Sequence, residues 1–148
     1  MEIFRISREK YSTSLTASGA SARWNRDNEF VLYTGEVRSL SALELAVHGI
    51  PNIAISFKTM VISVPDDDKL FNKVRIEDLP DNWRDTDAYP NLQEIGSNWY
   101  SAQRSLILQV PSVIIPQEYN FIINTTHPNF NDLVQLTRTE DFFWDNRL

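Results

Sequence analysis

Side chains able to do chemistry are sparse in this sequence, and they fall early and late in the chain. Arg5 and Arg23 offer planar forks suited to bidentate contact with phosphate. Glu44 lies in Ser41-Ala42-Leu43-Glu44, which fits a box in which a Ser caps a helix and the Glu reaches back to its first amide. At 100° per residue Glu44 also falls ~40° from Leu40, at the edge of an apolar stripe, where a carboxylate would be partly desolvated. Spacing alone favours the cap. Arg23 precedes Trp24 and could simply stack on it. Tyr33 reads as an interior strand aromatic or as a face for a ring ligand, and Asn124 as a hydrogen-bonding orienter or a turn residue.

Other chemistries lack their residues. There is no cysteine, and with two histidines a zinc site would have to recruit carboxylates, so no metal site is expected. His48 ends a helical pattern, where it suits the helix dipole, and His127 in Thr126-His127-Pro128 reads as a residue that orders a loop. Ser112 follows Val110-Pro111 without the glycines of a nucleophile elbow, which excludes a serine hydrolase. The four glycines form no phosphate loop, so side chains must hold any nucleotide phosphates.

The elements that must position these groups follow from periodicity. Residues 2–6 and 29–34 read as strands, and residues 53–64 as a longer one that bends near Lys58. Residues 39–49 predict a helix with Leu40, Leu43, Ala46 and Val47 on its buried stripe, stopped by Gly49 and Pro51. A second helix is expected over residues 91–103, then strands over 106–109, 112–115, 119–124 and 133–137, punctuated by Pro111, Pro116 and Pro128. Few helices without regular strand-helix alternation predict an α+β class, and the absence of a linker or repeat predicts one domain over residues 1–148.

Bulk properties narrow the partners. The net charge of −6 argues against direct binding of a nucleic-acid backbone. Residues 1–50 balance six acids with six bases, whereas residues 65–94 hold nine acids and four bases, the pattern of a solvated surface excursion. No apolar run approaches the ~20 residues of a membrane span and the first residues carry charge, so a cytoplasmic location is expected. The aromatic run Phe142-Phe143-Trp144 should pack on its own domain or, if exposed, serve as an association surface.

Read together, several words in this order resemble the RES-domain family of bacterial toxins: Phe4-Arg5-Ile6, Ser21-Ala22-Arg23-Trp24-Asn25, Val31-Leu32-Tyr33-Thr34, Leu40-Ser41-Ala42-Leu43-Glu44, Val110-Pro111-Ser112, and the segment from Asn120 through Asn124 to His127-Pro128. Ile95-Gly96 and Trp99 match a family helix. The family's defining Arg, Glu and Ser fall on Arg23, Glu44 and Ser112. The resemblance implies a fold similar to the diphtheria-toxin-like ADP-ribosyltransferases, with two small, mainly antiparallel sheets around an NAD cleft. It also implies cleavage of the nicotinamide-ribose bond of NAD. Arg5 and Arg23 would clamp the pyrophosphate, Glu44 would face the sugar cation, and Ser112, Tyr33 and Asn124 would contact or orient the substrate.

The implied partner is an Xre-like helix-turn-helix antitoxin, through which alone the chain would touch DNA, with a homodimer possible inside the complex. Alternatives are ADP-ribosylation of a cellular protein, and a catalytically silent binding module in a DNA-binding regulatory complex. The family usually has glycine where this chain has Ser21-Ala22, and again near Asp27-Asn28, which leaves the loop after Trp24 open to a different conformation.

Overall fold

The computed structural model describes residues 1–49 and 54–147. Seven strands form a single sheet: β1 (Glu2–Arg8), β2 (Val31–Gly35), β3 (Phe57–Ser63), β4 (Phe71–Lys73), β5 (Ile107–Pro111), β6 (Tyr119–Asn124) and β7 (Gln135–Phe142), in the order β4-β5-β6-β2-β1-β3-β7. All neighbours run antiparallel except β4 and β5. Among the described residues three α-helices accompany the sheet: α1 (Arg38–Val47), α2 (Tyr89–Ala102) and the single turn α3 (Phe130–Leu133). The α+β class holds; the expectation of two small sheets does not.

The reason for that difference lies at the centre of the sheet. β1 pairs with β3 from Glu2↔Ser63 to Arg8↔Phe57, and β2 pairs with β6 over its full length, yet β1 and β2 meet at one register, Phe4↔Gly35. Two well-paired halves are thus joined by a narrow seam, and beyond it β1 and β2 part.

Both faces of the sheet are covered, which explains the unbroken apolar runs at 106–108 and 121–123. On one face Ile3, Leu32, Met60, Ile62, Ile107, Phe121 and Ile123 pack with Phe130 and Val134. On the other Val31, Leu108, Val110 and Ile122 pack under Leu92 and Trp99 of α2 with Trp24 and Trp83. Burial of such side chains contributes roughly 1.5–3 kcal/mol each, which is how a chain without cysteine holds together.

Three expected elements change. Residues 112–115 are a turn, not a strand: the Ser112 hydroxyl accepts from the amides of Ile114 and Ile115, both at 3.1 Å, and closes the β5-β6 connection despite the β-branched Val113, Ile114 and Ile115. The apolar stripe of α1 is narrower than its spacing suggested, since Leu40 is buried while Val47 is exposed. The last strand extends to Phe142, well past residue 137. β4 and α3 escaped the periodicity reading because three or four residues carry no period; Phe71 of β4 is placed instead by an edge-on contact with Phe121, centroids 5.7 Å apart. The predicted start of the long strand at residue 53 lies outside the described residues. At the C-terminal end Phe142 and Trp144 lie against each other at 6.0 Å, and Phe143 is exposed.

Among the described residues no helix is long and apolar enough to cross a membrane, and no cluster of three or more His, Asp or Glu could hold a metal ion.

Candidate active site

A cavity of about 530 Å³ opens where β1 and β2 part. Phe4, Arg5 and Ile6 line it from β1, and Tyr33, Thr34 and Gly35 from β2. Arg5 spans the gap by donating from Nη1 to the Tyr33 carbonyl at 3.0 Å, a contact the diverging backbone no longer provides. Burial lowers the Arg5 pKa from its ordinary value, and the guanidinium remains charged in any protein setting.

Helix α1 forms a second wall through Ser41, Glu44, Leu45 and His48, an i, i+3, i+4, i+7 row. The capping box is not formed. The helix begins at Arg38, flanked by Val37 with no side-chain cap, and Ser41 Oγ donates instead to the Phe4 carbonyl at 2.9 Å. Gly35 makes room for this close approach, because a Cβ there would stand 2.6 Å from Ser41 Oγ. Released from capping, Glu44 reaches across the cavity wall. Its Oε1 accepts from Asn120 Nδ2 at 2.8 Å and from Ser112 Oγ at 3.2 Å.

The loop bearing Arg23 lines the cavity too, through Ser21, Ala22, Arg23 and Trp24. Arg23 Nη1 donates to the carbonyls of Trp83 and Arg84 at 3.3 and 3.4 Å, and its guanidinium lies 4.7 Å over the Tyr89 ring. Its stacking partner is therefore Tyr89, not Trp24, which is buried. Three bonds set the loop: Trp24 N donates to the Tyr33 hydroxyl at 3.1 Å, that hydroxyl donates to Asn25 Oδ1 at 2.6 Å, and Gln93 Nε2 donates to the Ala22 carbonyl at 2.8 Å. Burial is the main cause that pushes the Tyr33 phenol up, so it stays protonated and able to donate.

The departures from glycine in this loop are accommodated locally. Ala22 and Asn25 form an isolated antiparallel bridge, and neither Ser21 nor Ala22 has a positive φ. Asn28 does, at 66°, and Asn tolerates the left-handed region better than most residues other than glycine.

Of the residues singled out from sequence, the cavity brings together Arg5, Arg23, Tyr33 and Glu44. Ser112 is fully buried behind Glu44 and reaches the cavity only through it. Asn124 does not line the cavity: its Nδ2 donates to the Tyr100 carbonyl, and its Oδ1 accepts from Thr126 N and Oγ1, so the turn consumes it. His127 orders the same turn, with Nδ1 accepting from Asn129 N at 3.1 Å. Sequence reasoning missed Asn120, Tyr89 and the cavity-facing position of His48. Asn120 had a signal, an amide on the strand face that carries the apolar Ile122, but Asn124 shares that face and the same signal. Tyr89 had none, because its place against Arg23 is set by a contact 66 residues away in sequence.

Chemically the cavity holds one carboxylate and two guanidinium groups among aromatic and aliphatic lining residues. Comparison with known proteins matches the chain to a family. The chain is 31% identical to "Toxin Res" of Yersinia enterocolitica, over the whole of this chain and 99% of that protein. It is also 31% identical to "Toxin Res" of Photorhabdus laumondii, over the whole of this chain and 97% of that protein. It is 32% identical to the "Prs ADP-ribosylating toxin" of Sphingobium sp., over 88% of this chain and 85% of that one. A chain in the crystal structure of the M. tuberculosis MbcT-MbcA toxin-antitoxin complex shares the fold with a TM-score of 0.72 at 16% identity, covering 96% of this chain and 84% of that one. With a RES domain match across residues 2–145, this chain belongs to the RES domain family.

Proposed function

We propose that this protein is the toxin of a bacterial toxin-antitoxin pair and that it consumes NAD by breaking the nicotinamide-ribose bond, as an ADP-ribosyltransferase-like enzyme. The observation that carries this reading is that Glu44, Arg5 and Arg23 line one cavity. The names of the "Toxin Res" relatives support the toxin, and the toxin-antitoxin complex holding the structural neighbour supports an antitoxin partner; that this partner is an Xre-like helix-turn-helix protein rests on the family resemblance alone. In NAD the nicotinamide ring already carries positive charge. When the C–N bond breaks, the electron pair stays on the ring nitrogen and nicotinamide departs neutral, so the protein need not protonate it. Positive charge then develops on the ribose.

Glu44 faces that charge. A carboxylate held in place before the reaction stabilises the transition state more than the ground state, and no reorganisation is required of it. Arg5 and Arg23 grip the pyrophosphate, and the Tyr33 ring supplies a wall for the nicotinamide. An acceptor oxygen, from water or phosphate, then bonds to the ribose carbon and releases its proton to solvent. A second reading, transfer to a cellular protein, draws on the Sphingobium relative's name; it changes only the acceptor.

The test is loss of NAD with purified protein, followed by mass spectrometry of the products. Free ADP-ribose, a phosphorylated sugar product and a modified protein are distinct species. Glu44→Gln and Arg23→Ala are expected to retain their fold and lose the activity, by ~10²–10³ in kcat for Glu44→Gln. If both folded variants consumed NAD at the parent rate, the site assignment would fall.

A further inference from the structure

We propose that Asn120 and Ser112 are positioning residues that pin one oxygen of Glu44 and leave the other for the substrate. This deepens the NAD-cleaving reading and rests on it. Ser112 Oγ is fully buried and accepts two backbone N–H groups, from Ile114 and Ile115, each at 3.1 Å. A hydroxyl has two lone pairs and one hydrogen. With both lone pairs taken, the hydrogen has one partner within reach, Glu44 Oε1 at 3.2 Å. Asn120 Nδ2 can only donate, and it donates to the same oxygen at 2.8 Å.

Two donors converging on Oε1 fix the rotation of the carboxylate about its last bond. Among the described residues no protein donor is bonded to Oε2, although Glu44 lines the cavity. The backbone makes this inexpensive. Val110↔Asn120 and Pro111↔Tyr119 pair β5 with β6, so Ser112, the residue after β5, and Asn120 near the start of β6 are held close together. Neither side chain needs to touch substrate to affect the rate.

Ser112→Ala also strips the acceptor from two partly buried amides and is expected to lose stability, so Asn120→Ala is the cleaner probe. Asn120→Ala should lower kcat roughly tenfold with KM within about twofold, since the change removes a hydrogen bond to a charged group. The same change made in a Glu44→Gln background should alter the residual kcat by less than about twofold. A readout independent of turnover is the side-chain amide resonance pair of Asn120, assigned by its disappearance in Asn120→Ala. It should move on Glu44→Gln and stay in place on the remote Glu77→Gln.

An Asn120 amide pair unmoved by Glu44→Gln, or an Asn120→Ala loss that persists in full in the Glu44→Gln background, would overturn the pin. A protein that shows the resonance shift yet consumes no NAD would leave the pin standing and remove the NAD reading instead.

Discussion

A Cβ on Gly96 would stand 1.6 Å from the carbonyl oxygen of Trp24. Helix α2 therefore touches the Arg23 loop backbone to backbone, and Gly96 is the position that allows it. Gly96→Ala must displace either the helix or the loop, because the obstructing atoms are main chain and cannot rotate away. The expected result is a loss of about 1–3 kcal/mol in denaturant unfolding, together with a raised KM for NAD as the loop shifts. Parent-like values of both would show that α2 does not set the position of Arg23.

The Tyr33 hydroxyl is committed at both ends, accepting from Trp24 N and donating to Asn25 Oδ1. Tyr33→Phe keeps the ring against the cavity and removes only these two bonds. The Trp24 amide should exchange with solvent faster, stability should fall by about 1–3 kcal/mol, and KM should rise more than kcat falls. A fall in kcat alone would mean that the hydroxyl acts on the reaction rather than on the loop.

The Arg23 guanidinium lies 4.7 Å over the Tyr89 ring while one nitrogen serves two carbonyls. Lysine keeps the charge but has neither the plane nor the fork. Arg23→Lys should therefore weaken NAD binding, by roughly tenfold in KM. Isothermal titration in a Glu44→Gln background would read the binding loss directly, and an affinity left unchanged when Arg23→Lys is added to that background would contradict the proposed grip.

Glu140 of β7 holds α1 to the sheet through a forked pair of bonds from Arg38, at 2.8 and 2.9 Å, with Arg138 at 3.1 Å. The Arg38 hydrogen bond, then that of Arg138, depress its carboxyl from the ordinary 4.5 to about 2. A carboxyl depressed on folding stabilises the protein fully above its unfolded value and loses that contribution as pH falls through its folded value. The stability gap between the parent and Glu140→Gln should thus be full above pH 4.5 and close between 4.5 and about 2. The pair is exposed, so the gap should be modest and shrink in salt. Urea titrations at several pH values would measure it, and a gap that widened with acid would refute the assignment.

Much of the site was legible in the chain before folding, but unevenly. Arg5, Arg23, Tyr33 and Glu44 stand in short words whose order resembles a known family, and all four line the cavity. Asn124 stands in such a word too, yet its amide is spent on Tyr100 and Thr126. The distinction between a substrate contact and a turn residue lies in the partner, and the partner is distant in sequence. The same holds for Glu44, whose local spacing pointed to a helix cap while its bonds go to Ser112 and Asn120, 68 and 76 residues further on.

By itself the sequence determined the class and most of the elements, because burial periodicity is local: strands at the start, α1, α2 and the β5 and β6 runs are readable from their own side chains. It also determined which chemistries were closed, having neither the cysteines nor the glycine loops they need. Only tertiary structure decided that the strands form one sheet rather than two, that β1 and β2 part after Phe4↔Gly35, and that Arg23 rests on Tyr89. Each of these is a pairing between segments separated by tens of residues, and its free energy depends on which other segments are already in place.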